Sequence, residues 1–113
     1  MEPIELARKA VESLEDKKGE DILLMDVQQI SPIGMYYVIA SGTSERTIRA
    51  LMNSVVGDLK ADVNKPKLEG KAEDGWLLAD YGSVVVHVFS KAQREYYRLE
   101  ELWADAKVLL HVQ

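Results

Sequence analysis

Two stretches of this chain combine residue types that could do chemistry. The first is Trp76-Leu77-Leu78-Ala79-Asp80-Tyr81-Gly82-Ser83-Val84-Val85-Val86-His87-Val88-Phe89, which reads as two strands around a tight turn. Its first strand carries a Trp, an Asp and a Tyr that a buried hairpin does not need. Large aromatics beside a carboxylate on a sheet surface are the composition of a docking site. The chemistry there is adhesion: an aromatic anchor is worth about 2 kcal/mol or more on truncation, and the carboxylate can pair with Arg or Lys. Strand alternation sets Trp76, Leu78 and Asp80 on one face and Leu77, Ala79 and Tyr81 on the other. A purely structural reading stands beside this one, with Trp76 in the core and Asp80 tightening the turn before Gly82.

The second stretch, Ser41-Gly42-Thr43-Ser44-Glu45-Arg46, follows a strand and opens a helix. Free N–H groups and the helix dipole hold phosphate at such places, which suits a nucleotidyltransferase-like nucleotide binder. Such an enzyme needs paired carboxylates to hold Mg²⁺. No D-x-D or D-x-E lies on either hairpin strand, Asp80 stands alone at its strand end, and the turn lacks the Lys of a P-loop. A Gly-permitted turn followed by an ordinary helix cap accounts for the same residues. His87, between valines in a strand, and His111, in the tail, are the two histidines, and no further ligands group with them. No metal site is therefore assigned. No nucleophile elbow or acid–base set is visible either, so the reading assigns no catalytic residue and no cofactor.

These residues must be carried by one domain, 1–113, since 113 residues suffice for one core and not for two. There is no Cys, which removes disulfides and thiolate chemistry. The net charge is −5, from 19 acidic and 14 basic residues. Without a basic stripe, free nucleic acid is not an expected partner; a basic protein is. No apolar run approaches the roughly 18–20 residues that span a membrane. The first residues, Met1-Glu2-Pro3-Ile4-Glu5, show no leader pattern, so a cytoplasmic protein is expected.

The elements follow from periodicity and punctuation. Pro3 to about Asp16 reads as a helix, with Pro3 at its first position, Ile4, Ala7, Val11 and Leu14 on one stripe, and Gly19 as the stop. Ile22 to Val27 reads as a strand covered on both faces, and Met35 to Ala40 as a second strand. Thr43 or Ser44 caps a helix whose stripe is Ile48, Leu51, Met52, Val55, Val56 and Leu59. Leu68-Glu69-Gly70 suggests a short edge strand before the hairpin. Ser90-Lys91-Ala92-Gln93 matches a capping box for a last helix with Ala92, Tyr96, Leu99, Leu102, Trp103 and Ala106 along one side. Val108 to Gln113 is an apolar tail. The order predicts an α/β domain with a single mixed β-sheet of four to five strands and flanking helices.

In this order, four segments resemble the ribosomal silencing factor family, also called the Iojap family. They are Ser31-Pro32-Ile33 with Tyr36-Tyr37-Val38-Ile39-Ala40-Ser41-Gly42-Thr43-Ser44; Glu69-Gly70; Trp76 to Gly82; and Val84 to Phe89 running on through Arg94-Glu95-Tyr96-Tyr97-Arg98-Leu99-Glu100 to Leu102-Trp103-Ala104-Asp105-Ala106. The resemblance spans nearly the whole chain. It departs at Met35, where the family usually has an acidic residue before the aromatic pair. The resemblance implies a nucleotidyltransferase-like arrangement without enzymatic activity. It implies binding to the large ribosomal subunit through large-subunit ribosomal protein fourteen. That binding blocks joining to the small subunit and lowers translation when nutrients are short or in stationary phase. By the same resemblance, Trp76, Leu77, Asp80 and Tyr81 lie at the docking surface. The apolar hairpin face also suits a homodimer.

Overall fold

The computed structural model describes residues 1–32, 34–98, 104 and 106–113, and of Tyr97 the backbone alone. The chain runs α1 (Pro3–Asp16), β1 (Glu20–Asp26), β2 (Tyr36–Gly42), α2 (Glu45–Leu59), β3 (Lys67–Lys71), a 3-10 turn (Ala72–Asp74), β4 (Trp76–Asp80), β5 (Val84–Ser90), α3 (Lys91–Tyr97) and β6 (Lys107–Val112). One sheet takes the order β3-β4-β5-β2-β1-β6. Among the described residues only β2 and β5 pair in parallel; the other four neighbouring pairs are antiparallel.

The expected mixed sheet is present, but it has six strands, not four to five. The sixth is β6, built from the apolar tail. It adds to the outer edge of β1 with Leu23 opposite His111 and Leu24 opposite Leu110. Val108, Leu109 and Leu110 stay partly exposed there, at 54%, 38% and 40%. A strand without a buried face lacks the alternation by which strands are recognised in sequence, which is why the tail reads as featureless.

Local chemistry sets the helix ends. Pro3 begins α1 without a side-chain cap, and Ser44 caps α2 by accepting from the Thr47 N–H at 3.1 Å. The stop of α1 lies one residue earlier than Gly19 suggests. Lys18 takes the left-handed conformation at φ 61°, while the Gly19 N–H returns to the Leu14 carbonyl and the Lys18 N–H to that of Glu15. These are the two bonds of a Schellman ending, with lysine where glycine is usual.

The sheet separates two apolar clusters. On one face α1 and α2 supply Leu6, Val11, Leu14, Ile48, Leu51 and Leu59 against Ile22, Leu24, Val38, Val84, Val86 and Val88. On the other, Leu23, Met25, Val27, Tyr37, Ile39, Val85 and Phe89 form a second cluster, joined by Trp76, Leu78 and Ala106. Strand β1 is covered on both faces, as its continuous apolar run predicts. Each large side chain fully buried in this way contributes roughly 1.5–3 kcal/mol.

The last helix departs from its expected stripe. Tyr96 is 79% exposed and Ala92 is also exposed, whereas Arg94 is 5% exposed. The helix ends at Tyr97, with Arg98 left-handed at φ 46°. Burial of the Arg94 guanidinium, which donates to the Ser41 hydroxyl at 2.9 Å, turns the tyrosine face outward. Leu99, Leu102 and Trp103 lie outside the described residues. Ser90 caps this helix through the Gln93 N–H at 3.1 Å, but the box is half made: the Gln93 amide donates to the Asp74 carbonyl instead.

Candidate docking site

Strand β4 is held between β5 and the edge strand β3. Register sets Lys71 opposite Trp76, Glu69 opposite Leu78 and Lys67 opposite Asp80. Directly paired residues share a face, so Trp76 and Leu78 lie beside a charged row on β3. Lys67 and Glu69 approach within 3.9 Å. Trp76, Leu77, Leu78, Asp80 and Tyr81 are all half-buried.

The four residues expected at a docking surface divide between the two faces. Trp76 packs on the second cluster, and Asp80 shares its side of the strand. Leu77 and Tyr81 pack toward the helix-covered cluster. They come together along one strand and at its end, not on one flat patch. Leu78, which alternation already places with Trp76, belongs with the half-buried indole more closely than Leu77 does.

Each of these side chains has a definite setting. The Trp76 indole stacks on Phe89, with centroids 5.2 Å apart and planes at 22°, and its Nε1–H donates to Nδ1 of His87 at 3.3 Å. Burial of His87 pushes its pKa down to about 4, so the ring is neutral near pH 7 and Nδ1 can accept. Asp80 accepts the Gly82 N–H on Oδ1 at 2.7 Å, which tightens the turn as the structural reading holds. Its Oδ2 makes no hydrogen bond to a described residue and is available to a cation. The Tyr81 ring lines a hollow of about 340 Å³ with Val56, Leu59, Val63 and Pro66. Its hydroxyl is buried with no hydrogen-bond partner among the described residues, and burial raises its pKa. Met35 stands beside this end of the hairpin, its N–H donating to the Ser83 carbonyl at 2.7 Å.

The Ser41–Ser44 turn is spent on structure. The Ser41 hydroxyl takes the Arg94 bond, and that of Ser44 caps α2. A Cβ on Gly42 would lie 3.0 Å from Ile48 Cγ1 and 3.1 Å from its backbone nitrogen. Close packing of α2 on β2 thus explains the glycine. Among the described residues no three His, Cys, Asp or Glu side chains come together in a way that could hold a metal ion. No described helix is long and apolar enough to cross a membrane.

Two features escaped the sequence. Arg94 is a buried cation within 3.7 Å of Asp21, although its helical spacing reads as a surface position. His111, read as a tail residue, lies 2.5 Å from Asp21 and ties β6 to β1. That hydrogen bond holds the Asp21 carboxyl below the usual range; burial opposes it, and the charges of Arg94 and then His111 add smaller lowering effects. No local signal marks either contact.

The chain matches the family model described as ribosomal silencing factor during starvation over residues 1–113. It is 40% identical to the ribosomal silencing factor of Bacillus subtilis over 86% of this chain and 83% of that protein. A mouse protein named for mitochondrial assembly of the ribosomal large subunit is 36% identical over 82% of this chain and 42% of its own length. A crystal structure of a Chromobacterium violaceum protein, 42% identical, superposes with a TM-score of 0.87 over 92% of this chain and 88% of that one. With the order of its elements and its strand-borne motifs in place, this chain belongs to the ribosomal silencing factor family.

Proposed function

We propose that this chain represses translation by docking on the large ribosomal subunit through large-subunit ribosomal protein fourteen, so that the small subunit cannot join. Trp76, Leu77, Asp80 and Tyr81 form the contact, and the protein acts in the cytoplasm under nutrient limitation or in stationary phase. One observation carries the reading: a half-buried Trp76, with Leu78 beside it, sits within a charged rim of Lys71, Glu69 and Asp80 at one end of the sheet. An apolar centre with a polar margin is the anatomy of a protein interface. The Asp80 Oδ2 and a net charge of −5 suit a basic ribosomal protein. Tyr81 meets a partner that wraps the turn end of β4, and Leu77 meets one that reaches its helix-side face near Trp76. A body measuring 33 × 32 × 24 Å excludes another macromolecule wherever it is seated.

No chemical step is needed for this role, and the relatives bear the names of silencing factors rather than enzymes. The single parallel pair inside an otherwise antiparallel sheet is the frame on which we propose a nucleotidyltransferase-like arrangement put to a binding use. A second copy of the chain is a competing occupant of the same hairpin face; a crosslinked dimer would then bind the subunit less well than the monomer.

Co-sedimentation with purified large subunits, followed by addition of small subunits, tests the reading. The expected result is co-migration with the large subunit and fewer joined ribosomes. A folded protein that stays in the supernatant at low salt would reject it.

A further inference from the structure

We propose that His87 is the positioning residue of the docking site: its Nδ1 takes the indole proton of Trp76, so that a partner meets the carbon face of the ring and not its N–H. The inference rests on the docking role of Trp76. It names what that residue can recognise.

His87 is 4% exposed and sits on β5 between Val86 and Val88, whose side chains face the helices. Its direct neighbour on β4 is Leu78, and Trp76 is the diagonal one. Diagonal residues on adjacent strands are within reach of long aromatic side chains. The imidazole lies parallel to Phe89, at 4° and 5.9 Å, and Tyr37 tilts against it at 5.3 Å. The indole lies over both rings, 5.2 Å from Phe89 and 6.1 Å from His87, at 22° and 24°. The Phe89 and His87 rings and the 3.3 Å hydrogen bond restrict the rotamer of Trp76.

A buried histidine among valines is commonly no more than a core residue with its polar atoms satisfied. Here its acceptor is directed at the one polar atom of the proposed anchor. Valine or leucine would fill the strand as well but would leave a half-buried indole N–H without this partner. The bond needs the neutral tautomer with its proton on Nε2. With its N–H committed, the exposed part of Trp76 offers ring carbon. A lysine or arginine held over the ring, or an aliphatic side chain, satisfies it; a carbonyl or carboxylate acceptor gains nothing from it. An ordered anchor also binds with less loss of side-chain freedom.

The test measures large-subunit affinity and the ¹⁵N–¹H signal of the Trp76 indole, identified by its loss in Trp76→Phe. His87→Leu removes the acceptor, and His87→Gln retains one. His87→Leu is expected to weaken subunit binding by up to about tenfold, the cost of ordering on binding an indole no longer held in one rotamer, and to shift the indole signal and speed its exchange. His87→Gln is expected to restore both. In a Trp76→Phe background, His87→Leu is expected to change affinity little. Wild-type binding by folded His87→Leu, when Trp76→Ala has lost it, overturns the positioning role. Wild-type binding by Trp76→Ala overturns the docking reading instead, and the indole signal still reports the hydrogen bond. Should His87→Leu fail to fold, the unchanged indole signal in His87→Gln supports the bond, and a signal matching exposed indole refutes it.

Discussion

Gly70 and Trp76 meet backbone to backbone: a Cβ on Gly70 would lie 2.3 Å from the Trp76 carbonyl oxygen, and Gly70 itself has φ +87°. No side chain fits this approach, and the left-handed conformation is costly for any residue that has one. The edge strand β3 therefore closes on the proposed docking strand only through glycine. Gly70→Ala is expected to lower stability by about 2 kcal/mol or more and to weaken subunit binding as β3 lifts from β4. Urea unfolding and co-sedimentation measure the two effects. A variant of wild-type stability would show that β3 is dispensable to the strand it covers.

Truncating Trp76 and removing only the Tyr81 hydroxyl are expected to have opposite outcomes. Trp76→Ala is expected to cost about 2 kcal/mol or more of subunit binding, with the fold intact by circular dichroism. Tyr81→Phe removes a buried hydroxyl that has no partner among the described residues. Deleting an unsatisfied buried hydroxyl is neutral to stabilising, by up to about 1 kcal/mol. Binding should persist, because the hydroxyl is buried and offers a partner no surface. A loss of affinity in Tyr81→Phe would instead make that hydroxyl a donor to the partner.

Arg94 ties α3 to β2 through Ser41. Hydrogen bonds to a charged group are worth about 1.5–3 kcal/mol, and Arg94→Ala is expected to destabilise within that range. Ser41→Ala removes the same bond from the other side. The pair should be non-additive, with the double variant less destabilised than the sum of the two. Simple additivity in denaturant melts would mean that the bond contributes nothing of its own.

Acid should weaken the fold through His87. Its folded pKa is about 4 against an ordinary value of 6.5. Below pH 6.5 the unfolded chain takes up a proton that the folded chain refuses, so the unfolded state binds more protons and stability falls as pH falls. The contribution is complete above pH 6.5 and gone by about pH 4, a loss of about 3 kcal/mol. Unfolding at a series of pH values measures it, with His87→Gln as the control. A control that loses as much stability over this window as the wild type would assign the effect to other groups.

Much of the molecule was legible before folding was considered. The stripe and first-position proline of α1, the Ser44 cap and stripe of α2, the two-faced burial of β1 and the hairpin of β4 and β5 all rest on short-range signals. Those signals are the steric, capping and periodic preferences of residues a few positions apart. The same alternation grouped Trp76 with Leu78 and Asp80 on one face of β4, while packing decided which face the helices cover. The motifs that mark the family lie along these elements, so family membership was written in the chain as well.

The tertiary structure decided what joins distant segments. His111 meets Asp21 across 90 positions, and with the register of β6 on β1 this turns an apolar tail into a sixth strand. Arg94 is buried because Ser41, 53 positions earlier, receives it, although a charged residue in a helix reads as solvated. The indole of Trp76 finds its acceptor only when β4 and β5 pair in a register that sets His87 diagonal to it. The sequence by itself determined which residues form elements and which faces they can bury. Three-dimensional packing determined which of those faces meet, because partners far apart in the chain are selected by shape and polar satisfaction and not by local preference.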